Sequence, residues 1–168
     1  MGERGVRKVR SDKKVDVKPT VSIELKERLF TFSYLVNAPV KDVGAMLCAE
    51  CSESRPIIDS LVKYFRRDYQ YSNTLVLGYL NRPKLKIIAG RGSGTDTDKV
   101  TLKFKQHEFE RIKALGYGLD ITHTSTCALL LKLSLTNKGF IEERIEGWRL
   151  GRAEHAVRDL LGLGWVQK

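Results

Sequence analysis

Val100-Thr101-Leu102-Lys103-Phe104-Lys105 alternates apolar and polar side chains without a break, and Val21-Ser22-Ile23-Glu24-Leu25-Lys26 does the same. Alternation of this kind is the period of a strand with one buried face. Each run is followed by a segment with helical spacing, and the two runs start 79 positions apart. The same offset carries Cys48-Ala49 onto Cys127-Ala128, each pair inside a second helical segment. A strand and two helices written twice predict that one chain carries both halves of a structure usually built by two.

The second copy is the more regular. After its strand, Phe109, Ile112 and Leu115 mark one face of a helix over about 106–115, closed by Gly116 and Gly118, residues suited to left-handed helix caps. Ile121-Thr122-His123-Thr124 leads into a further helix reaching about 135, with Thr122 as N-cap and Asn137-Lys138-Gly139 as its stop. In the first copy the strand is expected over 20–26, with Val21, Ile23 and Leu25 inward. A helix over about 27–36 buries Leu29, Phe32 and Val36 and must end before Pro39, because proline disfavours helical geometry in its predecessor. The next helix, about 41–52, carries Val43, Met46, Leu47 and Cys51. Pro56 suits the first turn of another, 57–67, striped by Ile58, Leu61, Val62 and Phe65.

The apolar runs 75–80 and 85–89, separated by Asn81-Arg82-Pro83, read as a hairpin or as helix ends, and Gly90-Arg91-Gly92-Ser93-Gly94 as a linker. A last helix over about 141–161 presents Ile145, Trp148, Ala156, Val157, Leu160 and Leu161 for packing. The expected organisation is a basic arm (1–18), a first copy with an extra helix (19–70), a connecting segment (71–98), a second copy (99–137) and a C-terminal helix (138–168). In the arm, Arg7, Lys8, Arg10, Lys13 and Lys14 outweigh the few acids, and too little apolar bulk is present to offset the entropy of ordering. A solvated tail with no partner is the competing reading.

Thirty Lys+Arg against 20 Asp+Glu give the 168-residue chain a net charge of +10. A surplus of that size favours a polyanionic partner, nucleic acid ahead of an anionic membrane surface, because each neutralised phosphate releases condensed counterions. No apolar run is long enough to span a bilayer and no apolar leader opens the chain, so the expected location is cytoplasmic and the expected partners include no membrane. Three cysteines, an odd number, argue against a disulfide framework.

The chemical motifs fail on inspection. Cys48-Ala49-Glu50-Cys51 has no second pair, and His107, His123 and His155 lack metal-ligand spacing, so buried thiols on a helix are expected in place of a metal site. The glycine-rich stretch 90–94 lacks the Gly-Lys-Ser/Thr ending of a phosphate loop, and no nucleophile elbow is present. Glu142, Glu143, Glu146 and Asp159 read as an exposed helix face, and Trp148 and Trp165 as packing residues. No catalysis, metal or cofactor is expected.

A strand, a short helix, a turn with hydroxyl residues and a second helix make the segment Lys99 to Thr136 resemble the ribbon-helix-helix family of DNA-binding proteins, the MetJ/Arc type. The resemblance implies an α+β fold, mostly α: a tandem ribbon-helix-helix pseudo-dimer whose two-stranded antiparallel ribbon packs on helices and enters the major groove. It places Thr20, Ser22 and Glu24 of one strand and Lys99, Thr101, Lys103 and Lys105 of the other against base edges. It places Lys41, Thr122, His123 and Thr124, at the starts of the second helices, against phosphates. Asp42 beside Lys41 would oppose a phosphate there. The implied function is sequence-specific binding of double-stranded DNA, as a repressor or as a plasmid or mobile-element DNA-processing accessory factor, with self-association through the C-terminal helix. Unlike strands predict a non-palindromic site. The alternatives are an adaptor using the same fold for protein contacts, and an RNA or single-strand binder relying on Tyr64, Tyr69, Tyr71 and Trp148.

Overall fold

Ser22 decides where the first strand ends. Its hydroxyl accepts the N–H of Leu25 at 3.2 Å, the bond of a helix N-cap, so Ile23 and Glu24 already belong to a helix. The computed structural model describes residues 13–85 and 96–148, without the side chains of 145–148. In chain order its elements are β1 (Val15–Val17), β2 (Thr20–Ser22), α1 (Ile23–Val36), α2 (Val40–Glu53), α3 (Arg55–Leu61), β3 (Tyr69–Tyr71), β4 (Thr74–Val76), β5 (Thr97–Lys99), β6 (Leu102–Phe104), α4 (Gln106–Leu119), α5 (His123–Thr136) and α6 (Lys138–Trp148). This is an α+β fold, mostly helical, with small antiparallel two-stranded sheets.

The expected strand over 20–26 is therefore corrected: only its first three residues are extended. Leu25, Leu29 and Phe32 are buried at helical spacing on α1, and Glu24 pairs with Arg28 one turn on, 2.7 Å away. The alternating residues 23–26 fit a helix's first turn as well as a strand, and the serine cap settles it. The missing strand length lies upstream, in residues first assigned to a basic arm. Val15, Val17, Pro19 and Val21 alternate with Asp16, Lys18 and Thr20, and the first set faces the core.

β1 pairs antiparallel with β6 (Val15↔Phe104, Val17↔Leu102), and β2 with β5 (Thr20↔Lys99, Ser22↔Thr97), in one shared register. The two ladders form a single ribbon interrupted at Pro19. Facing Val100, Pro19 accepts from the valine N–H at 3.1 Å but has no N–H to return. The buried face of the ribbon, with Val17, Val21, Val100, Leu102 and Phe104, closes over α2 and its neighbours.

α1 and α4 are both 14 residues long, as are α2 and α5. Ile23 and Gln106, and likewise Val40 and His123, are 83 positions apart. The turn between the two helices of each copy passes through a left-handed residue at the same place, Asn37 (φ 53°) and Asp120 (φ 59°). The helix starts thus correspond at an offset of 83 residues, and not at the 79 of the strand and cysteine matches. At this offset Val17, Glu27-Arg28, Tyr34, Ala45, Leu47 and Ile58 recur as Val100, Glu110-Arg111, Tyr117, Ala128, Leu130 and Ile141, too scattered to stand out. Lys18 and Thr101 are counterparts at this offset and also face each other in the ribbon, between the pairs Val17↔Leu102 and Thr20↔Lys99.

The core joins both copies. Leu29, Phe32 and Leu47 of the first meet Leu102, Phe104, Ile112, Leu115 and Leu130 of the second in one cluster. Helix α2 lies against both α5 and β6. Gly44 permits the close approach of the ribbon, since a Cβ there would stand 2.4 Å from Leu102 Cδ2. Cys48 and Cys127, placed as equivalents from sequence, are instead contact partners: the Cys48 thiol donates to the Cys127 carbonyl at 3.6 Å.

What separates the copies is the insertion after α2. The helix expected over 57–67 is α3, followed by a 3-10 turn, Val62–Tyr64. Phe65, stacked on Tyr69 with centroids 5.1 Å apart, lies over Gly118 of α4. The N–H groups of Arg66 and Arg67 donate to the Gly118 carbonyl at 2.9 and 3.0 Å. A hairpin, β3–β4, turns at Ser72 in the left-handed region (φ 50°), and of the expected run 85–89 residues 86–89 lie outside the described residues. The glycine-rich stretch 90–94 and most of the expected C-terminal helix lie outside the described residues.

Candidate nucleic-acid interface

Besides Thr97, which stands opposite the capping residue Ser22, the outward face of the ribbon carries three cross-strand pairs: Asp16 with Lys103, Lys18 with Thr101, and Thr20 with Lys99. Strand alternation sends these residues away from the core, and their exposure agrees: Asp16, Lys18 and Lys99 are exposed, Thr20, Thr101 and Lys103 half-buried. Lys103 Nζ lies 4.0 Å from Asp16 Oδ1. Lys99 has no ion pair among the described residues. Three pairs at about 7 Å spacing span roughly 14 Å, comparable with four base pairs of rise.

Of the residues expected on this face, Thr20, Lys99, Thr101 and Lys103 are on it. Ser22 is spent on capping α1, and Glu24 lies in the first turn of α1, bound to Arg28. Lys105 is the N-cap of α4, its backbone N–H donating to the Glu108 carboxylate at 2.9 Å. These three stand at helix starts for one reason: both strands end in a helix cap one residue or more before the alternation stops. Asp16 and Lys18 were missed, although the alternation Val15-Asp16-Val17-Lys18 was there to be read.

The helix starts have separate roles. At α5, Thr122 accepts the Ser125 N–H at 3.1 Å and donates its own hydrogen to the Ser125 hydroxyl at 3.0 Å. Thr122 therefore secures the helix start, and the adjoining N–H groups of His123 and Thr124 open the helix. The His123 ring stands edge-on to Phe109, 5.4 Å between centroids. At α2 the cap is Pro39, with no side-chain bond, and exposed Lys41 follows in the first turn. Asp42 is countered not by Lys41 but by Lys14, at 3.1 Å. Lys13 is exposed, and Arg7, Lys8 and Arg10 lie outside the described residues.

The insertion makes the two helix starts unlike. Asp120, the left-handed residue before α5, receives Arg66 at 3.1 Å, Arg67 at 3.2 Å and Lys84 at 4.0 Å. Arg67 also lies over the Tyr117 ring, 4.4 Å from its centroid. Arg67 and Lys84, with Lys113, which pairs with Glu110 at 3.8 Å, line an open cleft of about 440 Å³ that Asp120, Thr122 and His123 also line. Asp120 alone meets three cations, Arg66, Arg67 and Lys84. Asn37, at the same place in the first copy, lacks the carboxylate that would gather them.

Other chemistry is sparse. Among the described residues, no group of His, Cys, Asp and Glu could hold a metal ion, and no helix is long and apolar enough to cross a membrane. Cys48, Cys51 and Cys127 are buried and free. Burial pushes the Cys51 thiol up to about 12 and raises that of Cys48, the reverse of what a reactive thiol needs. Comparison with family models, curated proteins and solved structures found no match.

Proposed function

We propose that this chain is a tandem ribbon-helix-helix pseudo-dimer that binds double-stranded DNA, laying the ribbon of residues 15–22 and 97–104 in the major groove. The observation that carries the reading is the outward face of that ribbon: three lysines, two threonines and one aspartate, on a chain of net charge +10. Lysine donates to guanine, aspartate accepts from cytosine N4, and threonine serves either way. Lys18 and Thr101, both opposite and equivalent, mark the local twofold axis of such a pseudo-dimer. The starts of α2 and α5 would then flank the ribbon and face phosphates, where N–H groups and helix dipoles favour an anion. Lys41, His123 and Thr124 are the phosphate-contacting residues of this reading, joined by Arg67, Lys84 and Lys113.

Two of the aromatic residues on which a single-strand binder would rely are engaged elsewhere. Tyr69 is buried under Phe65, and the Tyr71 hydroxyl donates to the Glu53 carbonyl, so neither is a free stacking platform. A repressor and a DNA-processing accessory factor would use the same face, and both belong to the proposal, as does a cytoplasmic location.

Binding to random duplex and to matched single strands across a salt series tests the reading. Wild-type protein should prefer duplex, Lys18→Ala and Lys99→Ala should each weaken it, and Lys41→Ala, at a phosphate, should lower the salt slope by about 1. Undiminished binding by the double variant would remove the ribbon from the interface. A failure to bind duplex at low salt would leave the adaptor role.

A further inference from the structure

We propose, resting on the reading above, that the chain recognises an asymmetric DNA site in one fixed orientation, and that Asp16 sets the polarity. At the 83-residue offset the outward positions pair as Asp16 with Lys99, Lys18 with Thr101, and Thr20 with Lys103. All three pairs are unlike. Turning the duplex end for end would bring an acid where a lysine had been, and exchange lysine with threonine at the other two places.

The acid matters most, because it reverses the sign of the group offered to a base. A carboxylate takes a hydrogen from cytosine N4 or adenine N6, whereas a lysine gives one to guanine O6 or N7. Asp16 also stands 4.0 Å from Lys103 and counters its charge, whereas Lys99 at the other end of the ribbon is exposed and without an ion pair among the described residues. One end of the face is thus a strong donor and the other a mixed acceptor and donor. The flanks are unlike too, with Arg67, Lys84 and Lys113 near the start of α5 and the Lys14–Asp42 pair at the start of α2.

Three substitutions make the face symmetric. Asp16→Lys, Lys18→Thr and Thr20→Lys give the first strand the outward series Lys-Thr-Lys that Lys99, Thr101 and Lys103 already form. All three positions lie on the outward face, so the packing beneath is untouched.

The experiment is selection from a randomised duplex pool with the full chain, the triple variant and Asp16→Lys alone. Wild type should enrich a non-palindromic consensus bound at least 10-fold more tightly than a palindrome built from either half. The triple variant should enrich a palindrome, and Asp16→Lys should change the consensus at one end only. A wild-type palindrome, or a triple variant that keeps the wild-type consensus, would overturn the proposal. Duplex retained without any consensus would overturn it while leaving duplex binding intact. No duplex retained at all would bring down both.

Discussion

Lys18 and Thr101 stand opposite each other at the centre of the ribbon, and each is the other's counterpart at the 83-residue offset. In the proposed pseudo-dimer the twofold axis would pass between these side chains. Neighbouring pairs Pro19/Val100 and Ile23/Asp96 are the hydrogen-bonded ones, at 3.1 and 3.2 Å, so Lys18/Thr101 is a non-hydrogen-bonded pair, the class with the closer side chains.

Lys18→Cys/Thr101→Cys should therefore close an intramolecular disulfide under mild oxidation, since such pairs fall within the Cα separations a disulfide accepts, about 4.4–6.8 Å. Non-reducing electrophoresis and a loss of two hydrogens by mass spectrometry would report it. Lys18→Cys/Lys26→Cys, which puts both thiols on the same copy, should not crosslink.

Gly116 and Gly139 should respond oppositely to alanine. A Cβ at Gly116 would lie 2.5 Å from Thr126 Oγ1 and 3.1 Å from the Ile121 carbonyl, with the threonine held by its 2.8 Å bond to the Thr122 carbonyl. Gly116→Ala should cost about 1–3 kcal/mol in urea unfolding, as overpacking does. At Gly139 the nearest atom is Asn137 Oδ1, 3.6 Å away, and Gly139→Ala should be neutral or stabilising by up to about 1 kcal/mol through helix propensity. Equal effects at the two sites would contradict the tight α4–α5 crossing.

The native thiols should be silent. With Cys48, Cys51 and Cys127 all buried, a thiol reagent at pH 8 should label none of them in the folded protein and all three in denaturant. Rapid labelling of Cys51 under native conditions would show that the α2 packing opens.

Glu50 should give the stability a pH dependence. Burial raises its carboxyl above the ordinary value, outweighing Arg144, whose Nε lies 2.5 Å from Glu50 Oε2 but outside hydrogen-bond geometry. A carboxyl raised on folding binds its proton more tightly in the native state, so its contribution is present below the unfolded value of 4.5 and lost as pH rises through the folded one. Between pH 4 and 7, Glu50→Gln should lose less stability than wild type in parallel melts. An identical pH profile would remove Glu50 as the source.

Lys99→Ala should weaken duplex binding more than Lys103→Ala, because Asp16 already counters Lys103. Asp16→Ala should then raise non-specific affinity and steepen the salt dependence. Fluorescence anisotropy across a salt series measures all three, and equal losses at the two lysines would mean that the ion pair opens on binding.

How far the sequence could be read differs from element to element. The second copy was legible because its signals agree: Leu102 and Phe104 alternate with Thr101 and Lys103, and Thr122 caps the next helix. The first copy was not, because Ile23 to Lys26 satisfies both the strand and the helix period, and only the Ser22 cap bond distinguishes them. A strand over 20–26 implies an offset of 79, and Cys48 and Cys127, which share that offset, are contact partners and not equivalents. Pro19 hid the true strand, since a proline argues against a strand interior, yet a two-stranded ribbon needs to forgo only one bond there.

By itself the sequence determined the ingredients: a basic chain, amphipathic helices, alternating strands, and cysteines suited to burial. Those are properties of period and composition, which act over a few residues. Only the tertiary structure decided the register, because which residue faces which across the ribbon depends on contacts 75 to 89 positions apart, from Ser22↔Thr97 to Val15↔Phe104. That register brings Asp16 and Lys18 to the face of the ribbon and retires Ser22, Glu24 and Lys105 into helix starts. A strand's side chains switch faces with every residue, so a shift of one position exchanges the core set for the exposed set. The packing of Val17, Val21, Leu102 and Phe104 against the helices selects the one register that buries them all.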